Sequence, residues 1–447
     1  MEGEIGKRML ILYSFALAVV LALGAPWWVL RMATSGKYRE GLTERLGVVP
    51  RRIRERLDGK NVVWVHAVSV GEVVAASRLI DELGHRVSGL EVGQGVGAWR
   101  IMISTTTKTG QQLARQRFGE ERVFYFPLDF GWAVRAWLRA LRPKLVVLAE
   151  TEFWPRMLAE CGRAGIPVAV VNARISDRSW PRYRRLAWMW RPLLRGLAVA
   201  LAQTELDAER LLALGANNVR VGGNLKFDVR VAGSAPVTGM LEEYLPPGAR
   251  VLVCGSTLAG EEELLLDALP SGIVMVLAPR HPERFGEVAE MLRQRGVGWV
   301  RRSEWGQAPR KIELGTVFLL DSIGELASVY SLAQTAFVGG SLVSAGGHNP
   351  LEAAQFGVPV VMGPSYENFR GIVEELRRHD AIRIAPAAEL KGALAEMLAS
   401  SAESRAVGAR ARTVFESEAG ATERAVQALI EVLEARALTP VHQGSGS

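Results

Sequence analysis

From residue 61 onward the chain alternates short β-branched apolar runs with amphipathic stretches. That is the pattern of βα units feeding a parallel sheet whose strands are buried on both faces. Strands are expected at Val62–His66, Ile101–Ser104, Leu145–Ala149, Val168–Val171 and Val199–Gln203. A second series is expected at Val251–Gly255, Ile273–Ala278, Val317–Leu320, Thr335–Val338 and Pro359–Met362. Between the two series, Val231 to Arg250 collects Gly233, Ser234, Pro236, Gly239, Pro246, Pro247 and Gly248, which reads as an interdomain linker. The expected architecture is α/β, with two Rossmann-like domains facing a cleft, residues 31–230 and 251–425. Residues 426–447 read as a terminal helix end and a disordered tail, and Glu91–Trp99 as a glycine-rich loop insertion before the second strand.

Ahead of this pattern, Met9 to Leu30 runs 22 residues without a charge. A helix rises about 1.5 Å per residue, so such a run is long enough to cross a hydrocarbon core of about 30 Å. Residues 1–30 are therefore expected to form a membrane anchor helix. A secretory signal peptide is the competing reading, since Lys7 and Arg8 precede the run, but cleavage after Ala25 would place Pro26 next. Trp27 and Trp28 continue the run as an interfacial aromatic pair would. Residues 31–60 hold nine Lys or Arg against four acids, which by the positive-inside rule puts the body of the protein on the cytoplasmic side.

Composition narrows the class. At 447 residues, 49% hydrophobic and 23% charged, the chain is long enough for two or three ordinary cores, and wholesale disorder or a polytopic membrane protein is excluded. Cys161 and Cys254 sit in plain apolar context, so neither a disulfide framework nor a cysteine-rich zinc site is available. The net charge of +7 points to an anionic partner: nucleic acid, acidic lipid or a phosphorylated substrate. Residues 172–195 carry seven arginines against one acid, interleaved with Trp180, Tyr183, Trp188 and Trp190. A solvated helix face is the usual fate of such a run, and nucleic acid would suit it by stacking, but next to an apolar anchor lipid headgroups are the better fit.

Candidate chemistry gathers where strands end. After the first strand, Ser69 and Glu72 have capping-box spacing, which would occupy both side chains with backbone; the functional reading makes Glu72 a base that takes a proton from an attacking hydroxyl. The stretch AETEFWP (Ala149–Pro155) places Glu150 and Glu152 at the end of another buried strand, where acids are costly unless they cap, pair or act. In the second half, CGSTLAGEEE (Cys254–Glu263) offers backbone N–H groups as a weak phosphate seat, and APRHPERF places Arg280, His281 and Arg284 at the same edge. The glycines between Gly339 and Gly347 let backbone approach a ligand closely. Asn349 capping and Pro350 at a first helical position then introduce Glu352, a carboxylate suited to paired ribose hydroxyls.

Taken together, SVGE, ISTTTKTG, AETEFWP, NARIS, AQTELDAERLLALGA, NLKFD, APRHPERF and GGHNPLEAAQFGVPVVMGP resemble the 3-deoxy-D-manno-oct-2-ulosonic acid (Kdo) transferase family, in order from the N-terminal span to about residue 420. The resemblance implies a membrane-anchored, inverting glycosyltransferase of the two-Rossmann GT-B type. It would move Kdo from CMP-Kdo to lipid IVA in lipopolysaccharide core biosynthesis, with inner-membrane lipid as a partner and no nucleic acid. It implies Glu72 as general base and Glu150 and Lys226 as transition-state stabilisers. CMP contacts would come from Pro279 and Arg280, from Ile323, Gly324 and Glu325 in DSIGEL, and from Asn349, Pro350, Leu351 and Glu352. No D-x-D motif is present, and a nucleoside monophosphate leaving group needs less neutralisation than a diphosphate, so no obligatory metal and no cofactor are expected. The competing readings are another GT-B nucleotide-sugar enzyme, such as a UDP-sugar transferase or epimerase, and a non-catalytic nucleotide-binding membrane scaffold.

Overall fold

A computed structural model describes residues 2–35, 40–57, 59–88, 98–230, 236–305, 309, 311–399 and 401–437. It divides into two units, one of residues 1–229 with 419–447 and the other of residues 230–418. The first holds β1 (Asn61–His66), β2 (Trp99–Thr105), β3 (Val123–Tyr125), β4 (Leu145–Ala149), β5 (Val168–Ala173), β6 (Val199–Ala202) and β7 (Val219–Val221), in the order β3-β2-β1-β4-β5-β6-β7. Every neighbouring pair is parallel. The chain winds outward from β1 in one direction and from β4 in the other, so the order reverses between them.

The unbroken apolar runs are explained by period two. Val62, Trp64, Val146, Leu148 and Val170 enter one buried cluster, while Val63, Val65, Leu145, Val147 and Val171 enter the cluster on the other face. Each such side chain contributes about 1.5–3 kcal/mol of burial.

The second unit repeats the plan with β8 (Val251–Thr257), β9 (Val274–Pro279), β10 (Trp299–Arg301), β11 (Val317–Leu319), β12 (Thr335–Val338), β13 (Val360–Met362) and β14 (Arg383–Ile384). Their order is β10-β11-β9-β8-β12-β13-β14, again all parallel. All ten expected strands are present. The four that the apolar pattern did not announce, β3, β7, β10 and β14, are the four edge strands and are two or three residues long.

Two expected boundaries shift. Residues 236–244 of the expected linker form helix Pro236–Tyr244, with Val237, Thr238 and Leu241 buried; a proline opening a helix looks the same in composition as a proline in a loop. Helix Ala421–Ala437 does not complete the second domain. It packs on helix Val70–Val87 of the first unit, with Ala425, Val426, Leu429 and Leu433 in that unit's core. Asp228 fixes its entry by accepting from the Gly420 N–H at 2.6 Å and from the Thr422 N–H. Residues 91–97 of the expected insertion, residues 231–235 of the linker and the tail from 438 lie outside the described residues.

At the N-terminus, helix Glu2–Ser35 contains, between Met9 and Trp28, the one stretch among the described residues long and apolar enough to cross a membrane, with mean hydropathy 2.2.

Candidate active site

In the first unit the candidate side chains stand at the C-terminal edge of the sheet, beside the point where the strand order reverses. Ser69 caps helix Val70–Val87, its Oγ accepting from the Glu72 N–H at 3.5 Å. Glu72 reaches back: its Oε2 accepts from the Val68 N–H at 2.7 Å and its Oε1 from the Ser69 hydroxyl at 2.9 Å. The capping box is therefore formed. It does not exhaust the carboxylate, which is 8% exposed. Burial pushes the Glu72 carboxyl up to about 7, the charge of Glu150 adds to this, the Val68 and Ser69 hydrogen bonds oppose it, and Glu152 adds a smaller push. A glutamate titrating near neutrality is suited to accept a proton at working pH.

Glu150 follows β4 with φ of +59°, a left-handed conformation that costs a side-chain-bearing residue energy. Its N–H is nevertheless held in the sheet, donating to Val171 O at 2.9 Å. Lys226 Nζ lies 3.9 Å from Glu150 Oε1. Burial, with the Glu150 charge, also raises the Glu152 carboxyl. The sequence-predicted Glu72, Glu150 and Lys226 are thus brought together, with Glu152 as a third acid.

Lys226 sits in a single 3-10 turn, Leu225–Asp228, and that turn is held by amides the sequence reading did not single out. Asn224 Oδ1 accepts from the Lys226 N–H at 3.0 Å, and Asn172 Oδ1 from the Leu225 N–H at 3.1 Å. Gln203 Nε2 donates to Asn172 O at 3.1 Å, and Asn224 Nδ2 to Gln203 Oε1 at 3.3 Å. Asn172 is itself left-handed, with φ of +57°. The signal was available: each amide lies at or just beyond the end of an expected strand or inside NLKFD. His66, at the end of β1, is stacked on Phe126 with ring centroids 4.0 Å apart, and burial pushes it down to about 3, so it is a neutral core histidine.

In the second unit Ser256, near the end of β8, is left-handed with φ of +57°. A Cβ on Gly339 would come within 2.5 Å of Ser256 O, so only glycine lets the loop after β12 pass this closely. The structure brings Arg280 within electrostatic range of both His348 and Glu352. Burial raises the Glu352 carboxyl, while Arg280 and a hydrogen bond from Asn349 oppose the shift. Arg280 follows Pro279, the last residue of β9, and its N–H donates to Thr257 O at 2.9 Å. Asn349 Oδ1 accepts from the Leu351 N–H at 3.1 Å, one residue ahead of the N-cap position, which Pro350 takes in place of the expected first helical one, and Pro350 and Leu351 are buried beside it. In DSIGEL, Ile323 is 81% exposed and Gly324 left-handed, whereas the Glu325 carboxylate is already paired with Arg302 at 2.9 Å. That loop offers a ligand its backbone and Ile323 more than its acid.

Arg284, grouped at this edge with Arg280 and His281, is bound to buried Glu262 at 2.7 Å and to Glu287 at 3.2 Å. One expectation here is corrected. The phosphate seat at Cys254–Glu263 is filled from within: fully buried Glu261 accepts the Leu258 N–H at 2.8 Å. The same carboxylate accepts from the Gly340, Ser341 and Leu342 N–H groups at 2.7, 3.0 and 2.9 Å, so it fixes the glycine loop. Among the described residues no group of three or more His, Cys, Asp or Glu is arranged to hold a metal ion.

Two doubly wound parallel sheets of this order define a GT-B-like α/β protein. The same fold occurs in the UDP-GlcNAc 2-epimerase of Neisseria meningitidis, with a TM-score of 0.56 over 83% of this chain and 100% of that one, at 12% identity. Residues 40–229 match the family model described as 3-deoxy-D-manno-octulosonic-acid transferase (kdotransferase). A 3-deoxy-D-manno-octulosonic acid transferase of Haemophilus influenzae is 31% identical over 412 residues, covering 90% of this chain and 93% of the relative. A bifunctional glycosyltransferase/methyltransferase of Fusobacterium nucleatum is 32% identical over 331 residues, 72% of this chain and 50% of that protein, so the chain spans about half the length of that relative. The chain belongs to the Kdo transferase family and is a glycosyltransferase of lipopolysaccharide biosynthesis.

Proposed function

We propose that the protein is an inverting glycosyltransferase that moves Kdo from CMP-Kdo to lipid IVA, with Glu72 as the general base. The observation that carries this reading is the Glu72 carboxyl, buried beside Glu150 and Glu152 and raised to about 7. Ionised, it takes the proton from an acceptor hydroxyl as that oxygen attacks the anomeric carbon. The C–O bond to the CMP phosphate breaks on the opposite face, and CMP leaves with the bonding pair. Lys226 and Glu150 stabilise the charges that develop in the first unit. Arg280 meets the nucleotide phosphate, Glu352 accepts from ribose hydroxyls, and Pro279, Ile323–Glu325 and Asn349–Leu351 complete the CMP contacts. In this reading the reaction needs no metal, and the protein is held by its N-terminal helix at the inner membrane with its body on the cytoplasmic side.

The test is incubation of membranes carrying the protein with lipid IVA and CMP-Kdo generated in situ. CMP release together with a gain of one or more Kdo masses on the lipid is expected; absence of both would sink the transferase reading in favour of a nucleotide-binding scaffold. Activity abolished by EDTA and restored by magnesium would overturn metal independence.

A further inference from the structure

The apolar run of helix Glu2–Ser35 is tied to the first unit before it begins to extend and again just after it ends. Near its start, Tyr13 is hydrogen-bonded to Asp129, and Ser14 Oγ accepts from Arg156 Nε at 2.8 Å, while Met9 and Leu10 are buried. Asp129 is no incidental partner: its two oxygens accept the Arg156 and Met157 N–H groups at 2.9 and 2.8 Å, opening helix Pro155–Arg163 directly after Glu150 and Glu152. Beyond the helix, Glu40 pairs with Arg115 at 3.0 Å, and Arg45 O accepts from the Leu128 N–H at 2.8 Å. The chain thus leaves the body at Asp129, is back on it at Glu40 against Arg115, and reaches Leu128, the neighbour of Asp129, by Arg45.

Length makes this decisive. From Ser14 to Ser35 the helix is about 32 Å long, whereas the five residues from Ser35 to Glu40 reach at most about 18 Å. A helix standing upright on the unit would leave its end short of Glu40 by about 14 Å. It must therefore lean along the body. The burial pattern agrees: Leu10 is buried and Tyr13, Ser14, Leu17, Leu21, Gly24, Ala25 and Trp28 are half-buried, one stripe at helical spacing, and the helix packs on helix Ala187–Leu194. The opposite face shows Ile11, Leu12, Phe15, Val20, Leu23 and Trp27 at 50% exposure or more. An apolar face of this extent needs a nonaqueous partner.

We propose that this helix lies in the plane of the cytoplasmic leaflet, both ends on the side of the body, and does not cross the bilayer. The occupant of its outer face is the acyl and headgroup boundary of an anionic membrane. Arg182, Arg184, Arg185, Arg191 and Trp188 are exposed on the adjoining helices Trp180–Arg185 and Ala187–Leu194, where they meet acidic headgroups at the same level. The attachments fall on helix Lys108–Phe118 after β2, on the loop after β3 and on the first turn of helix Pro155–Arg163 after β4. The last two stand at the sheet edge that carries Glu72 and Glu150, so the bilayer surface is brought to that edge.

The inference rests on the membrane-anchor reading above, and its test separates the two. Full-length Glu4→Cys and Glu423→Cys variants are labelled with a membrane-impermeant maleimide, Cys161 and Cys254 being buried. Glu423 is an exposed surface reference on the body. In-plane binding makes both sites react in inside-out vesicles and neither in intact spheroplasts. Reaction of Glu4→Cys from the spheroplast side alone would establish a span and overturn the inference while leaving the anchor intact. Recovery of the protein in the soluble fraction would overturn both. As a second measurement, Ser14→Cys with Arg156→Cys should be joined by a short bis-maleimide in native membranes; a crosslink that forms only after detergent extraction would count against the in-plane helix.

Discussion

Each sheet places a glutamate in the first helical turn after its first strand, and the two have opposite surroundings. Glu72, after β1, receives one backbone N–H and one hydroxyl and faces two further acids. Glu261, after β8, is fully buried and receives four backbone N–H groups. A carboxylate short of donors among like charges holds its proton to near neutrality and is free to exchange it. One saturated by donors becomes a structural clamp. Under the proposed mechanism the same topological position serves chemistry in one unit and architecture in the other, and what separates them is the number of donors and the charge of the neighbours.

The largest effect expected from breaking the contrast is on turnover. Glu72→Gln keeps the size of the side chain and one acceptor oxygen but removes the base. Its kcat should fall by about 10²–10⁴-fold, while CMP binding, measured by calorimetry on the same protein, stays unchanged. Full turnover in this variant would end the general-base assignment; a parallel loss of CMP binding would show that Glu72 acts as a scaffold like Glu261.

The converse holds for the clamp. Glu261→Ala strands four N–H groups, that of Leu258 and those of Gly340, Ser341 and Leu342, and should lower the unfolding free energy of the second unit by about 3–5 kcal/mol, part of the deficit being met by entering water. Glu261→Gln retains one carbonyl oxygen and should fall between. Denaturant unfolding reads the first quantity, and CMP affinity reads the second consequence, since the freed loop carries Gly339 to Gly347. An alanine variant as stable as the parent would show that the loop does not depend on the carboxylate.

How much of this was legible in the sequence follows from where side chains point. Strands buried on both faces announce themselves as apolar runs, so the inner strands were all readable. Arg220 in β7 and Arg383 in β14 interrupt such runs because an edge strand has solvent beside it. Glu72, Glu150 and Lys226 could be named because strand ends and motif strings mark them, yet their mutual electrostatics depends on distances between segments far apart in sequence. Glu261 was hidden for a related reason. In CGSTLAGEEE three glutamates look alike, and only the fold shows that one meets the loop some eighty residues later, another pairs with Arg284 and the third, Glu263, stands at the surface near Arg295.

Two smaller effects sharpen the comparison through pH. Because the folded Glu72 carboxyl is raised to about 7 from 4.5, the unfolded chain loses that proton first as pH rises. The native state then binds more protons, so this group lowers stability progressively between about pH 4.5 and 7, and by a constant amount above. Glu72→Gln should accordingly be more stable than the parent at pH 8 by about 1–3 kcal/mol and no more stable at pH 4. Equal stabilisation at both values would assign the gain to packing rather than charge.

The smallest effect is on the acid limb of kcat/KM. Protonated Glu72 cannot act as a base, so the rate should fall below about pH 7. Removing the charge of Glu152, the weakest of the groups raising Glu72, should move that limb down slightly. Glu150→Gln should move it further, since its charge is the second-largest cause after burial, though it also takes a partner from Lys226. In neither variant should the limb return to an ordinary glutamate value, because burial, the largest cause, remains. A limb that did return would mean that the acids rather than the desolvated pocket set the base.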